Sequence, residues 1–275
     1  SALALAGRRQ TALVCARRNL ASFDPKWYGA VSGFVGGVTH FSIANSRAVK
    51  ESVVSRYGLK GSKVAVVANI VDTMRQTPGR AAARRSLGLS DGAYVVAATG
   101  TICHIKNYPA LIKAFSALAR SFRHAVLVVA GDGPQSASIR AMADRLGLNG
   151  QLRMLGSVKN VDTVLAASDV FVHPSRSEGS PNAVLEAMAH GLPIVASDIA
   201  ANREALGPAA HYFEPDDWRG CMEGMARFAA CRPEALGLGK AARRRLEKTY
   251  DAAETVARRE RIYRKIREAV NDGHS

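Results

Sequence analysis

From residue 94 onward, short apolar runs alternate with longer segments whose apolar residues recur at helical spacing. Residues 94–98 and 125–130 have the length of buried strands, and each ends in a glycine-bearing turn, Thr99-Gly100 and Gly131-Asp132-Gly133. Residues 110–119 between them read as a helix, which completes one βαβ unit. The alternation continues with a helix over 139–146, a strand over 152–155, a short helix over 164–167, a strand over 170–173, a helix over 182–189 and a strand over 194–196. A last strand-like run, 210–213, precedes helical pattern at 221–230, 241–250 and 253–270. Runs that are apolar throughout suit strands covered on both faces. Strands taking turns with helices predict an α/β, Rossmann-like, doubly wound domain on a parallel sheet.

The front of the chain is also patterned, but over a shorter length. Residues 12–15, 40–44 and 64–67 predict strands, with helices over 27–35 and 47–57 between them. This is too little for a complete second Rossmann-like domain, so a partial one is expected over residues 1–75, the main domain over 76–250, and a C-terminal helix over 251–275 packing back on the front segment. The polar stretch 72–84, with Pro78 and Gly79, is the linker candidate.

Composition narrows the function classes. With 47% hydrophobic and 22% charged residues the chain is an ordinary globular one, which excludes extended disorder. No stretch reaches the roughly 18 apolar residues of a membrane span, so a soluble or peripherally attached protein is expected. Cys15, Cys103, Cys221 and Cys231 show neither CxxC pairs nor metal-ligand spacing, and read as isolated thiols of a reducing, cytoplasmic compartment. The formal charge of +15 lies largely in the basic segments 80–85, 243–248 and 258–267, which read as solvated helix faces. Aromatics are 6% and no reading motif accompanies the charge, so no nucleic-acid partner is expected. Anionic lipid headgroups are the sharper alternative for the excess charge.

In open α/β sheets ligands bind beyond the carboxyl ends of the strands, and the richest such loop follows residue 173. It runs His173-Pro-Ser-Arg-Ser-Glu178-Gly-Ser-Pro-Asn-Ala-Val-Leu-Glu186 into the helix 182–189. Ser180 and Pro181 suit the cap and first position of that helix, whose amino end would accept a diphosphate. Glu178 and Glu186 frame the loop. A carboxylate accepts from vicinal hydroxyls, so one could hold a ribose and the other a sugar ring; taken singly, each glutamate is better read as structural, Glu178 capping a turn and Glu186 lying on a helix surface.

The string from Glu178 to Ser197 resembles the E-x7-E signature of glycosyltransferase family 4, retaining enzymes of the GT-B fold. The resemblance extends to residues 67–72, to Gly100 with Lys106-Asn107, to residues 131–134, to Leu155-Gly156 and to residues 167–175. It implies the donor-binding half of such an enzyme plus part of the acceptor-side front domain. Glu178 would then contact donor-sugar hydroxyls, Glu186 the nucleotide ribose, and Lys106 the diphosphate, where a cation offsets charge on the leaving group. Gly100, Thr101, Gly179, Ser180, Pro181 and Asn182 would help hold the donor, and Val158 would border the base. For Gly100, Gly131 and Gly133, tight turns are an equally good account. Two departures stand out. Thr101 replaces an arginine that many members place after this glycine, which shifts phosphate neutralisation to Lys106, backbone amides, or Arg17, Arg18 or Arg176. The family's front domain also opens with a glycine-rich loop and several strands for which no counterpart precedes residue 12, so an incomplete front domain is expected.

The expected activity is metal-independent transfer of a sugar, with retention, from a nucleoside diphosphate sugar to an acceptor hydroxyl. No cofactor is called for beyond the donor substrate itself. The acceptor is a glycan or a lipid-linked molecule, with contact to an anionic membrane face as a further expectation. A catalytically incomplete module that only binds the nucleotide sugar is the alternative.

Overall fold

A computed structural model of the chain describes residues 14–18, 20, 41–71 and 77–272, with side chains described through 268. Two compact units emerge: Ser1–Ile70 with Glu178–Ser180 and Tyr250–Ser275, and Val71–Ser177 with Pro181–Thr249.

In the first unit, β1 (Val14–Arg17), β2 (Phe41–Ala44) and β3 (Val64–Val66) form a parallel sheet in that order. Ala44 pairs with Arg17 on one side and Val66 on the other. The helix Arg47–Tyr57 covers this sheet through Val49, Val53 and Tyr57. It begins at Ser46, whose hydroxyl accepts from the Val49 amide at 3.1 Å, and ends at Gly58 in the left-handed region, φ 63°. The helix Ala252–Asp272 belongs to the same unit. The helix expected over 27–35 and the start of the linker, 72–76, lie outside the described residues.

The second unit is the α/β, Rossmann-like domain. Its strands are β4 (Tyr94–Thr99), β5 (Ala125–Ala130), β6 (Leu152–Met154), β7 (Val170–His173), β8 (Ile194–Ser197) and β9 (His211–Phe213). All pair in parallel, in the order β6-β5-β4-β7-β8-β9. The chain winds outward from β4 in one direction to β6, then returns beside β4 as β7 and winds the other way. The carboxyl ends of β4 and β7 therefore flank the switch point at which such sheets open a crevice.

Val95 to Ala98 and the whole of β7 are buried, as the unbroken apolar runs require. The helix Tyr108–Ser121 lays Leu111, Ile112, Phe115 and Leu118 against the sheet. Each such side chain contributes about 1.5–3 kcal/mol relative to exposure.

Several element limits differ from the sequence pattern, each for a tertiary reason. Arg80–Ser86, assigned to the linker, is a helix, and Arg84 on it is buried rather than solvated. The Arg84 guanidinium donates to Asp169 Oδ2 at 2.7 Å and to the carbonyls of Ser90, Asp91, Ala93 and Ala167. Asp169 in turn accepts from the Val95 amide at 2.8 Å, which ties this helix to the amino edge of the sheet at β4 and β7. Ala200–Leu206 is a further helix that the periodicity does not reveal. The helix predicted over 241–250 spans Arg232–Thr249, with Gly237 and Gly239 inside it. A β-carbon at Gly239 would lie 2.1 Å from the Gly191 carbonyl oxygen, so glycine there permits close backbone approach instead of ending the helix.

The outer strand β9 carries a half-buried titratable group beside the core. The ring of His211 meets Phe228 edge-on at 6.3 Å between centroids. Burial lowers its pKa, opposed in part by the Gly220 carbonyl. Between the folded and unfolded pKa values the unfolded state binds more protons, so stability falls as pH drops below the unfolded imidazole value of about 6.5. Urea midpoints at neutral and mildly acidic pH are expected to fall further in the native protein than in His211→Gln. Equal losses would remove His211 from the acid-sensitive limb.

Candidate functional site

In the second unit the loops at the carboxyl ends of β4, β5, β6 and β7 hold one another by backbone contacts. The Gly100 amide donates to Ala130 O at 3.0 Å, Ile102 to Asp132 O at 3.0 Å, and Gly131 to Gly156 O at 2.8 Å. Gly131 has φ 150°, and a β-carbon there would stand 1.9 Å from the Gly100 oxygen. The conformation and the space both demand glycine, which favours the tight-turn account at this position. Asp132 is held by the Ser136 hydroxyl at 2.5 Å and the Gly133 amide at 2.7 Å, and both lower its pKa. A carboxylate fixed in this way acts on its own turn.

The loop after β4 carries Gly100, exposed Thr101 and half-buried Lys106. Lys106 closes a 3-10 turn, His104–Lys106, which ends at Asn107 in the left-handed region, φ 53°. A β-carbon built on Gly100 would lie 3.9 Å from Lys106 Nζ, so the ammonium stands above the glycine backbone. The hydroxyl of buried Tyr108 donates to the Gly100 carbonyl at 3.0 Å and fixes the orientation of that peptide. The sequence gives no hint of this role, because an isolated tyrosine carries no mark of the carbonyl it holds.

The loop after β7 docks on the loop after β4. The Arg176 amide donates to Ile105 O at 2.8 Å, and its guanidinium donates to His104 O at 2.6 Å and to Asp216 Oδ1 at 2.5 Å. Hydrogen bonding and charge from Arg176 keep the Asp216 carboxyl below its ordinary range. Arg176 is a candidate for phosphate neutralisation on sequence grounds, and the structure pairs it with the exposed Asp216 carboxylate. Beneath the loop, Ser197 Oγ donates to Ser175 O at 2.5 Å, and Asn202 Nδ2 donates to Ser197 O at 2.9 Å. These residues brace the turn out of β7.

The helix Asn182–Ala189 starts from the same edge of the sheet. Val184, Leu185, Ala187 and Met188 are buried, while Glu186 is half-buried and Asn182 exposed. Glu186 thus stands off the apolar face, as its position in the pattern requires. Ser180 is not the cap. Pro181 occupies that position, and its carbonyl accepts from Val184 at 2.9 Å and Leu185 at 3.1 Å. Proline tolerates the place because a helix start needs no amide donor there. Val158, beyond β6, is half-buried.

Glu178–Ser180 group with the first unit. The Gly179 carbonyl accepts from Ser46 Oγ at 2.5 Å, and a β-carbon on Gly179 would sit 2.1 Å from the Arg18 carbonyl oxygen. The Gly179 backbone is therefore anchored, and only glycine fits. Glu178 and Ser180 are half-buried beside it in sequence.

A parallel sheet with its order reversing between β4 and β7, and with backbone-tight loops gathered at that edge, defines a doubly wound, Rossmann-like fold. Residues 79–245 match the family model of glycosyl transferases group 1, and the chain belongs to that family. It is 32% identical over 209 residues to a D-inositol 3-phosphate glycosyltransferase of Saccharomonospora viridis, covering 70% of this chain and 48% of that protein. It is likewise 32% identical over 212 residues to a D-inositol 3-phosphate glycosyltransferase of Actinosynnema mirum, covering 71% of this chain and 51% of that one. The chain thus spans about half the length of the curated relatives it matches. Among solved structures, HepE of Anabaena in complex with UDP superposes with a TM-score of 0.86 at 18% identity, covering 96% of this chain and 77% of that one. The fold is accordingly that of the GT-B glycosyltransferases. Among the described residues no helix is long and apolar enough to cross a membrane.

Proposed function

We propose that the chain is the donor-binding half, with part of the acceptor-side half, of a retaining glycosyltransferase that takes its sugar from a nucleoside diphosphate. The observation that carries this reading is the docking of the β7 loop on the Lys106 turn at the switch point of the sheet, through the Arg176 amide and Ile105 carbonyl 2.8 Å apart. In this reading the Lys106 ammonium and the amino end of the helix Asn182–Ala189, which starts from the same edge of the sheet, act together on a diphosphate.

In this reading Lys106 meets the diphosphate and stabilises the charge that grows on it as the glycosidic bond breaks. Gly100, Thr101, Pro181 and Asn182 border the same phosphates. Glu186 accepts from the ribose hydroxyls, and Val158 lies along the base. Glu178 takes hydroxyls of the sugar, with Gly179 and Ser180 supplying main-chain support. The acceptor hydroxyl attacks the anomeric carbon on the face the diphosphate leaves, and the departing phosphate oxygen takes the hydroxyl proton. Configuration is kept and no metal is required; catalysis comes from positioning and from the fixed cation. A relative's complex with UDP makes uridine the first base to test, and the acceptor is a glycan or a lipid-linked alcohol.

Calorimetric titration of the purified chain with UDP, GDP and their glucose and mannose conjugates, alongside a UDP- or GDP-release assay, tests the reading. Lys106→Ala and Glu186→Ala are each expected to weaken nucleotide binding by about ten- to a hundredfold, the scale of a charged hydrogen bond. Glu178→Gln is expected to spare affinity for the free nucleotide and to depress sugar release. Nucleotide affinity unchanged in both Lys106→Ala and Glu186→Ala sinks the assignment, and saturable binding without sugar release leaves a binding module in its place.

A further inference from the structure

The first unit holds a pocket of about 230 Å³ at the carboxyl ends of β1, β2 and β3, bordered by the helix Ala252–Asp272. Its polar lining consists of Arg17, Arg18, Asn45, Asn69, Arg259 and Tyr263, with no carboxylate among the lining residues. Arg17 is 9% exposed, yet its Nε and Nη2 atoms have no hydrogen-bond partner among the described residues. Its charge rests against the Tyr57 ring, whose centroid lies 5.6 Å from the guanidinium carbon. A guanidinium taken out of water without an anion is costly, and a fork of unmet donors matches two oxygens of one anionic group.

A second unmet atom lies beside it. Asn45 Nδ2 donates to the Arg18 carbonyl at 3.2 Å, while Asn45 Oδ1 is buried with no donor among the described residues. Two donor atoms of Arg17 and one acceptor atom of Asn45 are thus unmet among the described residues, so the complementary ligand carries both an anionic group and a hydroxyl. The exposed cations of Arg18 and Arg259 add attraction at the mouth. The volume corresponds to about eight waters at roughly 30 Å³ each, room for a phosphate group on a short polyol.

We infer that this pocket binds the phosphate of a hydroxylated phosphate ester, with Arg17 as the buried phosphate ligand and Asn45 taking an adjacent hydroxyl. The inference deepens the transferase reading, on which it rests for the identity of the occupant as the acceptor. The phosphate belongs either to a soluble polyol phosphate or to a lipid headgroup, and the chemistry of recognition is the same.

The test is a titration of the full chain with inorganic phosphate and with glycerol 3-phosphate at constant ionic strength. Saturable binding is expected, tighter for glycerol 3-phosphate because of its hydroxyls. Arg17→Met is expected to weaken it by about ten- to a hundredfold. Arg259→Gln, on an exposed position that leaves folding untouched, is expected to weaken it severalfold, while Arg264→Gln, exposed on the same helix but outside the pocket, leaves it unchanged. Vesicles of phosphatidylcholine with and without phosphatidylglycerol separate the sources. Capture that depends on phosphatidylglycerol, falls in Arg259→Gln and is displaced by glycerol 3-phosphate places the phosphate on a lipid; monoester binding without capture places it on a soluble acceptor. No saturable binding of phosphate or glycerol 3-phosphate, or equal loss in Arg259→Gln and Arg264→Gln, overturns the site. Nucleotide titration on the same variants keeps the two readings apart: binding of glycerol 3-phosphate that persists where UDP and GDP fail to bind sinks the transferase reading and spares the pocket.

Discussion

Arg84→Met is expected to destabilise the Rossmann-like unit by about 3–5 kcal/mol, the scale of breaking a buried ion pair from one side. The loss is large because the guanidinium satisfies four backbone carbonyls and Asp169 together, in a position where water cannot replace it. Burial and the neighbouring Arg80 cation lower the pKa of Arg84, and Asp169 opposes them. Arg80 donates to the other oxygen of Asp169 at 2.5 Å but is itself largely exposed, so it compensates little. Arg84→Lys keeps a charge but loses the planar fork, and its stability should fall between native and methionine variants. Urea unfolding followed by circular dichroism gives the ranking; a methionine variant within about 1 kcal/mol of the native protein would show that the carbonyls find other donors.

Gly131→Ala is expected to act at the opposite edge and on both stability and binding. An added methyl would meet the Gly100 oxygen at 1.9 Å and its carbon at 2.8 Å, and the left-side φ of 150° disfavours any side chain. Neither atom is the free end of a side chain, so the backbone of one loop must move. Overpacking of this kind costs about 1–3 kcal/mol. Moving Gly100 also displaces the peptide that Tyr108 holds and over which Lys106 stands. Nucleotide affinity should therefore fall by more than tenfold, of the order expected when a charged contact is lost, even where the variant remains folded. A folded variant with native affinity would detach the glycine contact from the loop proposed to hold the diphosphate.

Much of this architecture is readable from the chain because the relevant forces are local. The runs 125–130 and 170–173 coincide with β5 and β7, since β5 is apolar throughout and the single polar residue of β7, buried His173, stands at its end. The helix Asn182–Ala189 is recovered from its apolar face. Failures cluster where distant residues decide. Arg84 is indistinguishable in sequence from its exposed neighbour Arg85, and only Asp169, far along the chain, makes it a core residue. Gly239 looks like a helix breaker until the Gly191 carbonyl is seen against it. The site divides in the same way. Lys106 and Glu186 stand on the expected loop and helix, but the use of Arg176 as a strut to Asp216 and the anchoring of Gly179 by Ser46 depend on partners with no sequence signature.

The two ends of the β4 and β7 strands carry different duties. Arg84 and Asp169 lock the amino ends, whereas the glycine crossings and the Lys106 turn crowd the carboxyl ends. Sequence drift in this molecule is then filtered by two separate criteria. Changes at the amino pole alter how much folded protein accumulates, changes at the carboxyl pole such as Gly131→Ala alter both yield and the ligand retention proposed for that end, and random variants sorted by the two readouts would separate along the strand axis.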